Sequence, residues 1–220
     1  MLRYSLWVTV SASLLVLPSV SLAKNFKSGI SLSTLGPGVE LSSRINDSFG
    51  FRGSLSYFSY DKSDTVEGIN YDADLEMLNA GFLADWYPSK TGFRVTGGVF
   101  IGKNQVDLDA NNISSITVGD DTYTTTEVNS LNGKVEVNDI APYVGVGWDS
   151  RFSKNSRWNV GLDLGVKFHG SPEVSLSGVG SLVNTPEFQE DLQNEITQFE
   201  NDIDSLQYYP VVGLNVSYIF

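Results

Sequence analysis

The 220-residue chain contains no cysteine, which excludes a disulfide framework and thiol or Cys-metal chemistry. Lysine and arginine number 14 against 26 aspartates and glutamates, a formal charge of −12. Such a chain is a poor partner for nucleic-acid phosphates, which need cations to neutralise them. Histidine occurs once, at His169. No P-loop, HExxH or GxGxxG pattern is present, and no cofactor, metal site or catalytic residue is expected. After the first 23 residues no segment has the ~18 apolar residues of a membrane-spanning helix.

The first residues read as a processing segment. Arg3 supplies the charged start, residues 6–17 an apolar run, Pro18 a break, and Ser21-Leu22-Ala23 a small-x-small ending. This is the pattern of a cleaved secretory signal. The expected organisation is residues 1–23 as signal peptide and residues 24–220 as one barrel domain.

What the mature segment has in abundance is alternation. In "WNVGLDLGVKFH" the apolar Trp158, Val160, Leu162, Leu164, Val166 and Phe168 oppose Asn159, Gly161, Asp163, Gly165, Lys167 and His169. The same period of two recurs in "FGFRGSLSY", "LNAGFLADW", "FRVTGGVFIG", "IAPYVGVGW" and the terminal "PVVGLNVSYIF". A period of two over such lengths marks strands. The polar faces are glycine-rich and carry both signs of charge: Glu40, Arg44, Arg52, Asp85, Arg94, Asp163 and Lys167. A soluble barrel would show a densely charged outer face instead. Ion pairs beside glycines suit a narrow lumen, and a continuous apolar face tipped by Trp86, Phe93, Trp148, Trp158 and Phe220 suits lipid.

Short links at 46–48, 88–92 and 149–157 alternate with long ones at 61–74, 109–139 and 170–207. Outer-membrane barrels keep short turns in the periplasm and long loops outside. Taking residues 29–45 as one strand gives seven strands, whereas bacterial barrels use an even number. Thr34-Leu35-Gly36-Pro37-Gly38 is therefore predicted to be a tight outer turn that makes eight. The fold expected is all-β: an eight-stranded antiparallel up-and-down transmembrane β-barrel with one amphipathic helix in the last outer loop. That helix starts at Thr185-Pro186, an N-cap followed by proline at the first position. Its apolar stripe is Phe188, Leu192, Ile196, Phe199, Ile203 and Leu206, and its other face is acidic. The stripe suits a lid on the rim or loops, with a partner-binding or self-associating helix as the other reading.

These segments resemble the small eight-stranded outer-membrane barrels. "ADWYPSKTGFRVTGGVFIG" and "APYVGVGW" are similar to central strands of the OmpW-type and OmpA-barrel-type families. "SYIF", with Val212, Leu214, Val216, Tyr218 and Phe220 on one face, resembles the C-terminal signal read by the barrel-assembly machinery. The resemblance implies a Gram-negative outer-membrane location, contact with outer-membrane lipid and lipopolysaccharide, and a monomer. The first outer turn is shorter than in OmpW-type channels.

Three roles follow for comparison. The inward charges can plug the lumen, giving a structural or interaction barrel at the cell surface. They can instead line a narrow porin-like channel for passive uptake of small solutes. A lipid A-modifying enzyme is the remote third, since His169, Ser171 and Glu173 stand close in "HGSPE" but parity points His169 inward; the chain is not expected to be an enzyme. The acids Asp61, Asp64, Glu67, Asp72 and Asp74 suit a solvated surface, with Ca²⁺ as an alternative that the EF-hand spacing does not support.

Overall fold

A computed structural model describes residues 26–66, 69–89, 92–111, 115–118, 121–124, 127–153 and 155–220. The leader reading at residues 1–23 and Glu67 lie outside them. The strands are β1 (Phe26–Ser33), β2 (Gly36–Arg44), β3 (Phe49–Val66), β4 (Ile69–Trp86), β5 (Phe93–Ile101), β6 (Asn104–Asn111), β7 (Ser115–Val118), β8 (Asp121–Thr124), β9 (Ser130–Glu136), β10 (Ile140–Arg151), β11 (Trp158–Phe168), β12 (Glu173–Val179) and β13 (Tyr208–Ile219). A helix, α1 (Pro186–Ile203), and a 3-10 turn (Asp204–Gln207) precede β13.

Eight strands close a barrel. The order is β1-β2-β3-β4-β5-β10-β11-β13 and back to β1, with every neighbour antiparallel. Alternation places the two faces as the pattern requires. Ile30, Val39, Phe51, Phe82, Val144 and Leu214 are each more than half exposed on the outer wall, while Arg52, Asp85, Arg94 and Lys167 are buried inside. A soluble protein rarely exposes so large an apolar surface, so this wall needs an apolar neighbour. Aromatic pairs ring its short-turn end: Trp158 and Tyr218 edge-on at 5.3 Å, Phe93 and Trp148 at 6.5 Å, Phe26 and Phe220 at 6.0 Å. At the opposite rim Phe168 meets Tyr208 edge-on at 5.5 Å.

Residues 26–45 form two strands joined through Thr34 and Leu35, with Ser33 opposite Gly36. Gly36 adopts φ +100°, and a β-carbon there would stand 2.7 Å from that of Phe58. The turn is tied to β13: Thr34 N–H donates to Val212 O at 3.0 Å and Tyr209 Oη donates to Thr34 O at 2.7 Å. Leu35 is thereby buried at the barrel mouth.

The long links differ from their expected form. Residues 61–66 and 69–74 belong to strands: β3 and β4 pair from Phe49↔Trp86 to Val66↔Ile69. Strand β4 then divides its partners. Residues 80–86 pair with β5 in the barrel, and residues 70–77 pair with β6 beyond it. β9 adds to β6, and β12 adds to β9. The links at 109–139 and 170–207 thus supply strands β9 and β12 of a five-stranded outer sheet built on the β3–β4 hairpin. Helix α1 packs on it around a second core of Val128, Val183, Phe188 and Leu192, with Leu131, Leu176 and Ile196 against them.

Candidate functional site

The inward residues sort into two layers. The lower one, near the short turns, is ionic. Arg52 donates to Asp163 at 2.9 Å, to Asp85 at 3.1 Å and to Glu40 at 3.4 Å. Arg94 donates to Asp149 at 2.5 Å and to Asp163 at 2.7 Å. Lys27 reaches Asp149 at 3.5 Å, and Thr96 Oγ1 donates to Asp85 at 2.6 Å. The Arg44 guanidinium lies 3.6 Å from the centre of the Tyr87 ring, whose hydroxyl donates to Asp149 at 3.2 Å. The cations Lys27, Arg44, Arg52 and Arg94 balance the carboxylates Glu40, Asp85, Asp149 and Asp163 in number. That balance makes burial tolerable, because charges removed from water are kept only when paired and hydrogen-bonded.

The upper layer is mostly apolar. Leu35, Met77, Leu83, Phe100, Tyr143 and Val211 pack together, with Leu75 and Tyr209 against them. Phe100 and Tyr143 meet edge-on at 5.3 Å. The inward glycines are occupied space: a β-carbon at Gly165 would fall on the Tyr143 ring. Lys167 crosses this layer, donating to Asn79 Oδ1 at 2.9 Å with its Nζ 5.7 Å from the centre of the Tyr209 ring. Asn79 in turn donates to Asn104 at 2.8 Å. Arg94 in the lower layer is 1% exposed and Lys167 in the upper layer 2%.

Glu40, Arg52, Asp85, Arg94 and Asp163 therefore meet in one network. Arg44 stands beside it on Tyr87, and Lys167 is separate, above. Parity places Thr96 and Asn79 on inward faces without giving them a role, and sequence reasoning missed Lys27, Tyr87 and Asp149. For Asp149 the signal exists: it continues the parity of Tyr143, Gly145 and Gly147, although it opens the short link read at 149–157. The C-terminal set Val212, Leu214, Val216, Tyr218 and Phe220 lies on the outer face of β13, the strand that closes the barrel between β1 and β11.

In α1 the Thr185 hydroxyl caps Phe188 N–H at 3.4 Å. Phe188 and Leu192 are buried, Ile196 and Ile203 half-buried, Phe199 and Leu206 exposed. Glu200 accepts from Val174 N–H on the sheet edge at 3.1 Å. His169 Nδ1 lies 3.1 Å from Gly170 O, while Ser171 Oγ donates to Asp204 at 2.7 Å. Burial and the nearby Lys167 charge hold the His169 pKa below its ordinary value. These partners leave His169 and Ser171 engaged elsewhere, not with each other.

The outer sheet has two unlike faces. One shows the register rows Asp61-Asp74-Asp107-Lys134 and Ser63-Asp72-Asp109-Asn132. Partial desolvation and the charges of Asp61, Asp109 and Asp72 push the Asp74 carboxyl above the usual carboxylate range. Lys134 and Glu136 pair at 2.8 Å, which raises the lysine and lowers the glutamate. The described residues contain no group of three or more His, Cys, Asp or Glu placed to hold a metal ion.

The structure is similar to two crystal structures of Acinetobacter baumannii proteins. CarO2 shares 26% identity over 89% of this chain and 98% of its own, with a TM-score of 0.58. CarO shares 25% identity over 88% and 97%, with a TM-score of 0.57. No family model matches the chain, and no curated protein sequence does. The closed barrel, its apolar outer wall and this likeness make the chain an outer-membrane β-barrel protein.

Proposed function

We propose that this barrel conducts nothing and serves to hold a sheet-and-helix cap at the cell surface for interaction. The observation that carries the reading is the filled lumen. An eight-stranded barrel has an interior just wide enough for side chains to fill, and here an ionic layer and an apolar layer stack across it. Arg94 and Lys167 would have to be solvated in a water-filled pore; both are almost entirely shielded. The lumen is the rigid foundation, and the outer sheet carries the recognition.

Planar-bilayer recording tests this. Purified protein should give flat traces, and removing the mouth plug with Leu35→Ser should leave them flat, because the ionic layer closes the tube below. Discrete conductance steps from the wild-type protein would reinstate a narrow channel for small solutes. An enzymatic role would show as lipid A mass changes that vanish in His169→Ala.

A further inference from the structure

The second face of the outer sheet is apolar, and part of it is bare. Its register rows are Tyr60-Leu75-Val106-Val135-Val174, Lys62-Ala73-Leu108-Gly133-Leu176 and Asp64-Tyr71-Ala110-Leu131-Gly178. Helix α1 covers the β9–β12 side through Phe188, Leu192 and Ile196. The β3–β4–β6 side is uncovered: Tyr60 is 56% exposed, Tyr71 44% and Leu108 41%. The floor continues into the barrel mouth, where Leu75 packs on the Leu35 and Met77 cluster.

Dimensions say what fits. Five strands at about 4.8 Å spacing make a sheet about 19 Å across. One helix, about 10 Å in diameter, covers roughly half. The uncovered half is the width of a second helix lying beside α1, in the way helices layer on a sheet.

Charge says what kind of helix. The described residues of 59–78, 102–139 and 169–207, which run outside the barrel, hold 19 carboxylates against 3 lysines and no arginine, a net of −16. Lys62 and Asp64 both stand on the bare face, but its surroundings are carboxylate-rich: the opposite face of the same sheet, and α1 with Glu187, Glu190, Glu195 and Asp202. A field of that sign attracts a cationic segment and repels an anionic one. The two tyrosines offer apolar body and ring faces for lysine or arginine.

We infer that the bare face formed by Tyr60, Tyr71 and Leu108 docks a cationic amphipathic helix of another polypeptide, its apolar side on the sheet beside α1. This rests on the surface-cap reading above and names the partner class. The apolar floor supplies contact, and the acidic surround supplies steering and sign selection.

The test uses the full-length protein in detergent micelles, fluorescently labelled synthetic peptides and anisotropy. The probes are a 14-residue Lys/Leu amphipathic peptide and its Glu/Leu counterpart. Empty micelles are subtracted for each. The Lys/Leu peptide should bind, the Glu/Leu peptide should not, and affinity should fall as salt rises. Tyr71→Ser with Leu108→Ser should weaken binding about tenfold or more. Asp72→Asn with Asp109→Asn, on the other face, should weaken it only about twofold. The mobility shift between heated and unheated samples confirms that each variant is folded. Absence of Lys/Leu binding at low salt overturns the inference. Equal loss in the two double variants reduces it to charge adsorption and overturns it too. A dimeric wild-type mass that Tyr71→Ser with Leu108→Ser makes monomeric would show that a second copy occupies the face, and would also overturn it. None of these outcomes bears on conductance, which judges the surface-cap reading separately.

Discussion

Arg94 shows how much a single position carries in this barrel. It pairs with Asp149 and Asp163 in the lower lumen, and its side chain is almost wholly enclosed. Truncation would leave Asp149 with the more distant Lys27 and Asp163 with Arg52 as their remaining cations. Breaking a buried pair from one side costs about 3–5 kcal/mol, so Arg94→Ala should lower the urea midpoint by that equivalent. Lys134→Ala, which removes a solvent-exposed pair on β9, should leave the midpoint unmoved, as surface pairs contribute little. The Asp74 carboxyl offers a second residue-scale measurement. Its folded pKa is raised, so folding disfavours the ionised form relative to the unfolded chain. The sign follows: charge repulsion there costs stability above the raised pKa, and the cost disappears as pH falls through that value toward the ordinary one. A carboxyl chemical-shift titration should place Asp74 above the usual carboxylate range, and Asp61→Asn should bring it down. An unchanged Asp74 in that variant would count against the coupling.

At the scale of elements, the cap and the barrel are separable in energy though not in chain. Phe188 is fully enclosed in the second core between α1, β9 and β12. Phe188→Ala should remove about 3–5 kcal/mol of local packing, read as faster proteolysis and faster amide exchange of residues 173–206. The heated-against-unheated gel shift should persist, because no barrel strand touches that core. Removal of residues 185–206 should likewise leave an assembled barrel. The elements also differ in how legible they were in the sequence. The barrel strands stood out because one face is greasy and the other glycine-rich or charged. The cap strands did not, although "VDLDA" and "VSLSG" alternate just as regularly. Aspartate and asparagine are poor strand formers, and they make the links at 61–74 and 109–139 read as solvated loop. Their pairing comes from long-range register, with β4 as template, and local pattern does not reveal which strand will extend past the rim. The lumen network was half visible for a related reason. Parity alone exposes Glu40, Arg52, Asp85, Arg94 and Asp163, whereas Asp149 belongs to the end of β10 that reads as a short link.

On the scale of the whole molecule, charge is sorted along the barrel axis. The outer segments are strongly negative and the lumen is near balance. Among the described residues the short-turn side carries Arg151 and Arg157 against Asp47. Lipopolysaccharide surfaces are themselves anionic, so the cap should stand off from them unless divalent cations mediate. Reconstituted into vesicles of lipopolysaccharide with phospholipid, the cap should be cleaved by protease faster in a chelator than in millimolar Mg²⁺, while a neutral phosphatidylcholine vesicle should show no such difference. Equal rates in both would argue against electrostatic stand-off.

The shared strand β4 has a mechanical consequence. One continuous segment is wall below and spine above, zipped to β3 along its entire length. A partner that seizes the cap and pulls away from the cell therefore loads that ladder in shear, with many backbone hydrogen bonds resisting together. A cap slung on flexible tethers would peel one bond at a time. The anchor is shaped to withstand traction.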